Sequence, residues 1–129
     1  MSKKVEKSIQ YAFYLLYFGF TFLMVWAGVD KIFNISQTWK RYLSPLLIER
    51  VPLPTETLLF IGGVIELAAG VLILVSPRRG ALVVAGWLVC ILLNLATIGQ
   101  PVMDIIMRDF VLFCAALTFY KLSVIVALT

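Results

Sequence analysis

The chain contains no histidine. That removes the usual imidazole ligands of haem and zinc, and with them the most common general base. No metal site is expected. Cysteine is nearly as scarce. Cys90 and Cys114 lie in separate runs, so no C-x-x-C dithiol supports thioredoxin-like or quinone-linked exchange. Charge is also thin: 14% of the residues are charged, against 62% hydrophobic. A soluble domain is about 45–50% apolar, so this chain has more apolar surface than a small core could hide. Lipid is the indicated solvent. The net charge is +4, yet the lysines and arginines are scattered at the ends of apolar runs. They read as interface anchors, and no basic stripe suits nucleic acid.

What is present is four long apolar runs. A membrane helix needs about 20 mostly apolar residues. The runs fall at about residues 9–33, 56–75, 81–98 and 101–126. The first follows a lysine-rich start, as in a signal peptide. It is too long and aromatic for that and lacks a small-residue cleavage site, so it is expected to stay as a first membrane helix. "SPRRG" (76–80) and "GQP" (99–101) read as tight turns. The expected fold is therefore all-α: an integral membrane four-helix bundle forming one transmembrane domain over residues 1–129.

The long connection, "NISQTWKRYLSPLLIERVPLPTE" (34–56), mixes aromatic and aliphatic groups with Lys40, Arg41, Glu49 and Arg50. It reads as a part-helical segment lying in the interface, with Trp26 and Trp39 as anchors. The short basic stretches "SKKVEK" and "SPRRG" place both termini in the cytoplasm and the long loop outside.

Polar residues inside the runs carry the functional question. At about 1.5 Å per residue, Glu66 lies roughly 15 Å from the outer end of its helix. Asn94 lies roughly 7 Å down, and Arg108 and Asp109 roughly 10–12 Å. Residues at i and i+4 share a face. Gly62 and Gly70 share Glu66's face, Cys90 and Gly86 share Asn94's, and Gly19, Leu23, Ala27 and Lys31 form a stripe on the first helix. Small residues mark packed faces, so these polar groups are expected to point inward. Arg108 cannot neutralise itself. The expected pairing is Glu66 with Arg108, Asn94 supplementing it, and Asp109 serving a different neighbour such as Lys31. Cys90, Cys114 and Trp87 read as packing residues, and Gln100 and Asp104 as solvated at the outer turn.

"AGVDKIF" (27–33), "GGVIELAAGVLIL" (62–74), "NL" (94–95) and "MRDFVLFCAAL" (107–117) together resemble the DoxX/DoxD-like family of small four-helix bacterial and archaeal membrane proteins. The resemblance covers nearly the whole chain. It implies a multi-pass protein of the cytoplasmic membrane, with Lys31, Glu66, Asn94, Arg108 and Asp109 as the shared polar positions. It also implies proximity to a quinone or the respiratory chain, because the namesakes include the small membrane subunit of thiosulfate:quinone oxidoreductase. Two readings follow. In one, the chain is an accessory subunit of a quinone-linked redox system, with a quinone beside the polar cluster and electrons supplied by a partner. In the other, it is a structural or assembly subunit of a larger membrane complex with no ligand of its own, the buried charges fixing helix register. No autonomous catalytic motif is present. A homo-oligomer is a further option. A transporter ranks last, since no pair of broken helices appears.

Overall fold

The computed structural model describes residues 2–36 and 38–128. In chain order it contains α1 (Lys3–Phe33), a 3-10 turn (Trp39–Tyr42), α2 (Pro45–Arg50), α3 (Thr55–Val75), α4 (Pro77–Ile98), a second 3-10 turn (Gln100–Val102) and α5 (Met103–Leu128). No strand occurs among the described residues. Four helices, α1, α3, α4 and α5, are long and apolar enough to cross a membrane. The protein is an all-α four-helix bundle of multi-pass type. Four crossings put both chain ends at one end of the bundle, here the terminal end. The 34–54 connection lies at the other, the loop end.

Two element boundaries differ from the sequence reading. α1 starts at Lys3, because Ser2 caps it: the Val5 N–H donates to Ser2 Oγ at 3.2 Å. Its 31 residues span roughly 46 Å, against a hydrocarbon layer of about 30 Å. Some of α1 therefore stands in the headgroup layers. "SPRRG" is not a free turn. Pro77 takes a first-turn position of α4, where its missing N–H costs nothing. Ser76 alone joins α3 to α4. Gly80 consequently lies within α4, where a Cβ would come within 2.6 Å of the Ile73 Cα.

α1 packs chiefly on α3, and α4 chiefly on α5. Towards the terminal end the core is aromatic and aliphatic. Phe20 stacks on Phe119 at 5.8 Å, and Phe13 lies 5.6 Å from the same ring. Ile73, Ala81, Val84 and Ala116 fill the space between helices. The Tyr17 hydroxyl donates to the Leu74 carbonyl at 3.0 Å, satisfying an acceptor near the end of α3. Towards the loop end the helices close up on glycine. A Cβ on Gly28 would lie 2.7 Å from the Gly63 carbonyl oxygen, and one on Gly63 would lie 2.8 Å from the Gly28 oxygen. This reciprocal contact sets the spacing of α1 and α3.

The outward faces carry large apolar side chains, among them Phe18, Phe22, Val71, Leu93 and Val111. Cys90 and Cys114 are exposed on these faces, not packed in the core as the sequence suggested. Each is two residues, about 200° round its helix, from a residue of the buried face: Cys90 from Leu88 on α4 and Cys114 from Ala116 on α5.

Enlarging Gly63 tests this spacing. Gly63→Val should lower bundle stability by at least ~1–3 kcal/mol, the usual range for overpacking, when unfolding is followed in mixed micelles. Gly19→Val should have little effect, because nothing lies within 4 Å of its would-be Cβ.

Candidate functional site: a buried ion pair under the interfacial loop

Gly63, Glu66 and Gly70 recur at i, i+3 and i+7 and turn the same face of α3 towards α1. Gly63 leaves a notch, and the Lys31 Cβ lies 3.2 Å from the position its side chain would take. The lysine stem runs through this notch. In each helix the Cα–Cβ bond tilts towards the N-terminus. Lys31 therefore leans down into the bundle, and Glu66, on the antiparallel helix, leans up. Lys31 Nζ donates to Glu66 Oε1, forming a salt bridge between α1 and α3. Trp87 from α4 donates its indole N–H to the same oxygen at 2.9 Å. Glu66 is 2% exposed. Its second oxygen, Oε2, is buried and has no hydrogen-bond partner among the described residues.

The loop covers this pair. The Trp39 ring lies 4.5 Å from Lys31 Nζ, and the Trp87 ring 5.9 Å, so the ammonium has aromatic faces on two sides. Trp39 is held in turn by Asp30, a buried acid one residue before the lysine. Asp30 Oδ2 accepts from the Trp39 indole N–H at 2.8 Å and from the Ser36 hydroxyl at 2.7 Å. Asp30 Oδ1 accepts the Ser36 backbone N–H at 2.7 Å. Asn34, at the end of α1, takes the left-handed conformation (φ 52°) that turns the chain back over the bundle.

Asn94 fixes the other side of the loop. Its Oδ1 accepts from the Ser44 backbone N–H at 2.8 Å, and its amide donates to the Tyr42 carbonyl. Thr97 donates to Ser44 Oγ, and that oxygen accepts the Leu46 N–H at 3.1 Å, capping α2. One amide from α4 thus replaces a missing ladder partner for each of two loop residues. The exposed Lys40–Glu56 pair at 2.7 Å adds little, because solvent and salt screen such surface pairs.

Of the five expected site residues, the structure brings Lys31 and Glu66 into contact. It corrects the pairing proposed for Arg108. Arg108 is exposed and does not meet Glu66. The register of α5 explains this. Ala116, Phe119 and Ser123 define its buried face, and Val102 in the preceding 3-10 turn continues it. Asp109 lies on that face by spacing, and Arg108, about 100° round the helix, falls off it. Asp109 is half-buried and close enough for the charges of Lys31, Glu66 and Arg108 to act on it. Asn94 holds the loop instead of supplementing a Glu66–Arg108 contact. Its expected small-residue companions, Gly86 and Cys90, are exposed, as is Gly19 in the supposed α1 stripe.

Asp30, Trp39, Ser44 and Trp87 were not singled out as site residues. A signal for the first two was present: an acid in the last turn of a helix, followed by Asn, Ser and Thr, is positioned to satisfy the chain as it turns. The partners of Ser44 and Trp87 depend on helix packing and have no local signature.

Two shallow apolar grooves of about 520 and 490 Å³ run along the outer face of α1, lined by residues such as Tyr14, Phe18, Phe22 and Trp26, and neither touches Glu66. No family model matches the sequence, and no curated protein or solved structure matches it.

Breaking one half of a buried ion pair leaves an uncompensated charge, at a typical cost of about 3–5 kcal/mol. Lys31→Met should therefore destabilise the bundle strongly, and Lys31→Met with Glu66→Met should recover most of the loss. Arg108→Met should cost far less than Lys31→Met in the same unfolding assay. A large loss at Arg108 with none at Lys31 would contradict the pairing.

Proposed function

We propose that the chain is a DoxX-like accessory subunit of a quinone-linked redox system in a bacterial or archaeal cytoplasmic membrane, with both termini on the cytoplasmic side. The observation that carries this reading is the buried, unpartnered Glu66 Oε2 beside the Lys31 ammonium. A quinone, when bound, would take up two electrons from a redox partner protein and two protons from water. On this chain, Lys31 has donors beyond the one given to Glu66, and these suit a carbonyl oxygen. Glu66 Oε2 suits the hydroxyl of the reduced headgroup. Trp39 and Trp87 keep the ammonium out of water and offer flat surfaces to a ring. Intramembrane ionisable groups of this kind mark functional sites by default.

A second reading is favoured by a different observation. Asp30 and Asn94 are already engaged in tying the loop to the bundle. On that reading the chain is a structural or assembly subunit, and the polar set makes a rigid platform for a larger membrane protein.

Titration with a short-chain quinone separates the two. The redox reading predicts a saturable rise in thermal stability that Glu66→Gln abolishes and Arg108→Gln preserves. No shift with any quinone, together with a stoichiometric protein partner in gentle detergent extracts, supports the structural reading.

A further inference from the structure

Arg108 has no ion-pair partner among the described residues. It lies five residues into α5, about 7.5 Å from the start of the helix. It stays charged there, and a charge facing hydrocarbon is costly without an acceptor. Asp104 is one turn nearer the loop end on the same helix, also exposed and also outside any ion pair among the described residues. Between and below them runs an uncovered seam. Met107, Val111, Cys114, Thr118 and Ile125 are all exposed. The first four are spaced four, three and four residues apart, the a/d pattern of a helix that packs on a parallel neighbour. α5 is also the least covered of the four candidate spans.

We infer that this face of α5 binds a second copy of the chain, about a two-fold axis normal to the membrane. Two copies in one membrane share an orientation, so a two-fold contact makes their α5 helices parallel and isologous. Asp104 and Arg108 are then self-complementary. An arginine side chain leans towards the N-terminus of its own helix, which is the direction of the other copy's Asp104. The contact forms twice by symmetry. Deeper in the membrane, Cys114 and Thr118 present small side chains at the seam, and small residues allow close approach of helices in lipid. Lys121 follows on the same seam, nearer the terminal end, where its ammonium meets lipid phosphates. The tight part of the interface is therefore residues 104–118. This inference does not depend on any ligand at Glu66.

Cys114 provides the test. The full chain is placed in vesicles at high lipid-to-protein ratio and oxidised with copper–phenanthroline. A disulfide-linked dimer should form, persist in Cys90→Ser and vanish in Cys114→Ser. Arg108→Asp should reduce its yield by about tenfold, as expected when close charge pairs are lost across an interface. Adding Asp104→Arg to Arg108→Asp should restore the yield. Asp104→Lys, at the more accessible end, provides the same test should Arg108→Asp fail to fold. A monomer under all conditions would overturn the inference and leave Arg108 reaching to lipid phosphate. Cross-linking through Cys90, or through Cys114 without regard to residues 104 and 108, would overturn it as well.

Discussion

A lysine ammonium and a glutamate carboxylate, 35 residues apart in sequence, meet between α1 and α3 beneath the interfacial loop. Most of what distinguishes the loop end depends on this contact. Lipid offers nothing to pair with either group, so each is tolerable at this depth only because the other is there. The pair needs the helices close together, which the Gly28–Gly63 approach provides. It also needs the lysine stem to pass α3, which the missing side chain of Gly63 permits. Glycine at this point of the sequence is thus tied to the electrostatics, beyond its contribution to packing.

The loop follows from the same contact. Lys31 draws Trp39 over itself, Asp30 fixes that ring and Ser36, and Asn94 holds Tyr42 and Ser44 from the far side. Each link satisfies a polar group that would otherwise be stranded between water and hydrocarbon. The segment after α1 is therefore bonded to the bundle at both of its edges. The acid beneath it keeps one oxygen in reserve. That oxygen is the one buried side-chain acceptor among the described residues that the loop and the neighbouring helices leave without a hydrogen bond.

The helices were legible because lipid imposes a length and a composition that survive any tertiary arrangement. Four apolar runs of about 20 residues can be counted directly. Helix starts were less legible. The Ser2 cap and the Pro77 first turn add residues that hydropathy alone assigns to flanks. The buried site was legible in part. The face around Glu66 led correctly to a packed interface, but it pointed to Gly62, where the close contact is at Gly63. Arg108 was misplaced for a physical reason. Adjacent helical residues point about 100° apart, so "RD" puts one residue inside and one outside, and the sequence does not say which. The rotation of α5 is set by Ala116 and Phe119, far along the helix. Trp87 and Ser44 were beyond reach, because their partners come from helices whose relative heights no local pattern records.

The Lys31–Glu66 contact can be observed without perturbing it. Selective labelling with 15N-lysine and 13C-glutamate, followed by solid-state NMR in lipid bilayers, measures the Nζ–Cδ dipolar coupling directly. The structure predicts a strong coupling at Lys31, lost in Glu66→Gln. No coupling at Lys31, with the Glu66 carboxyl coupled instead, in a second sample labelled with 15N-arginine, to a side chain lost in Arg108→Met, would contradict it.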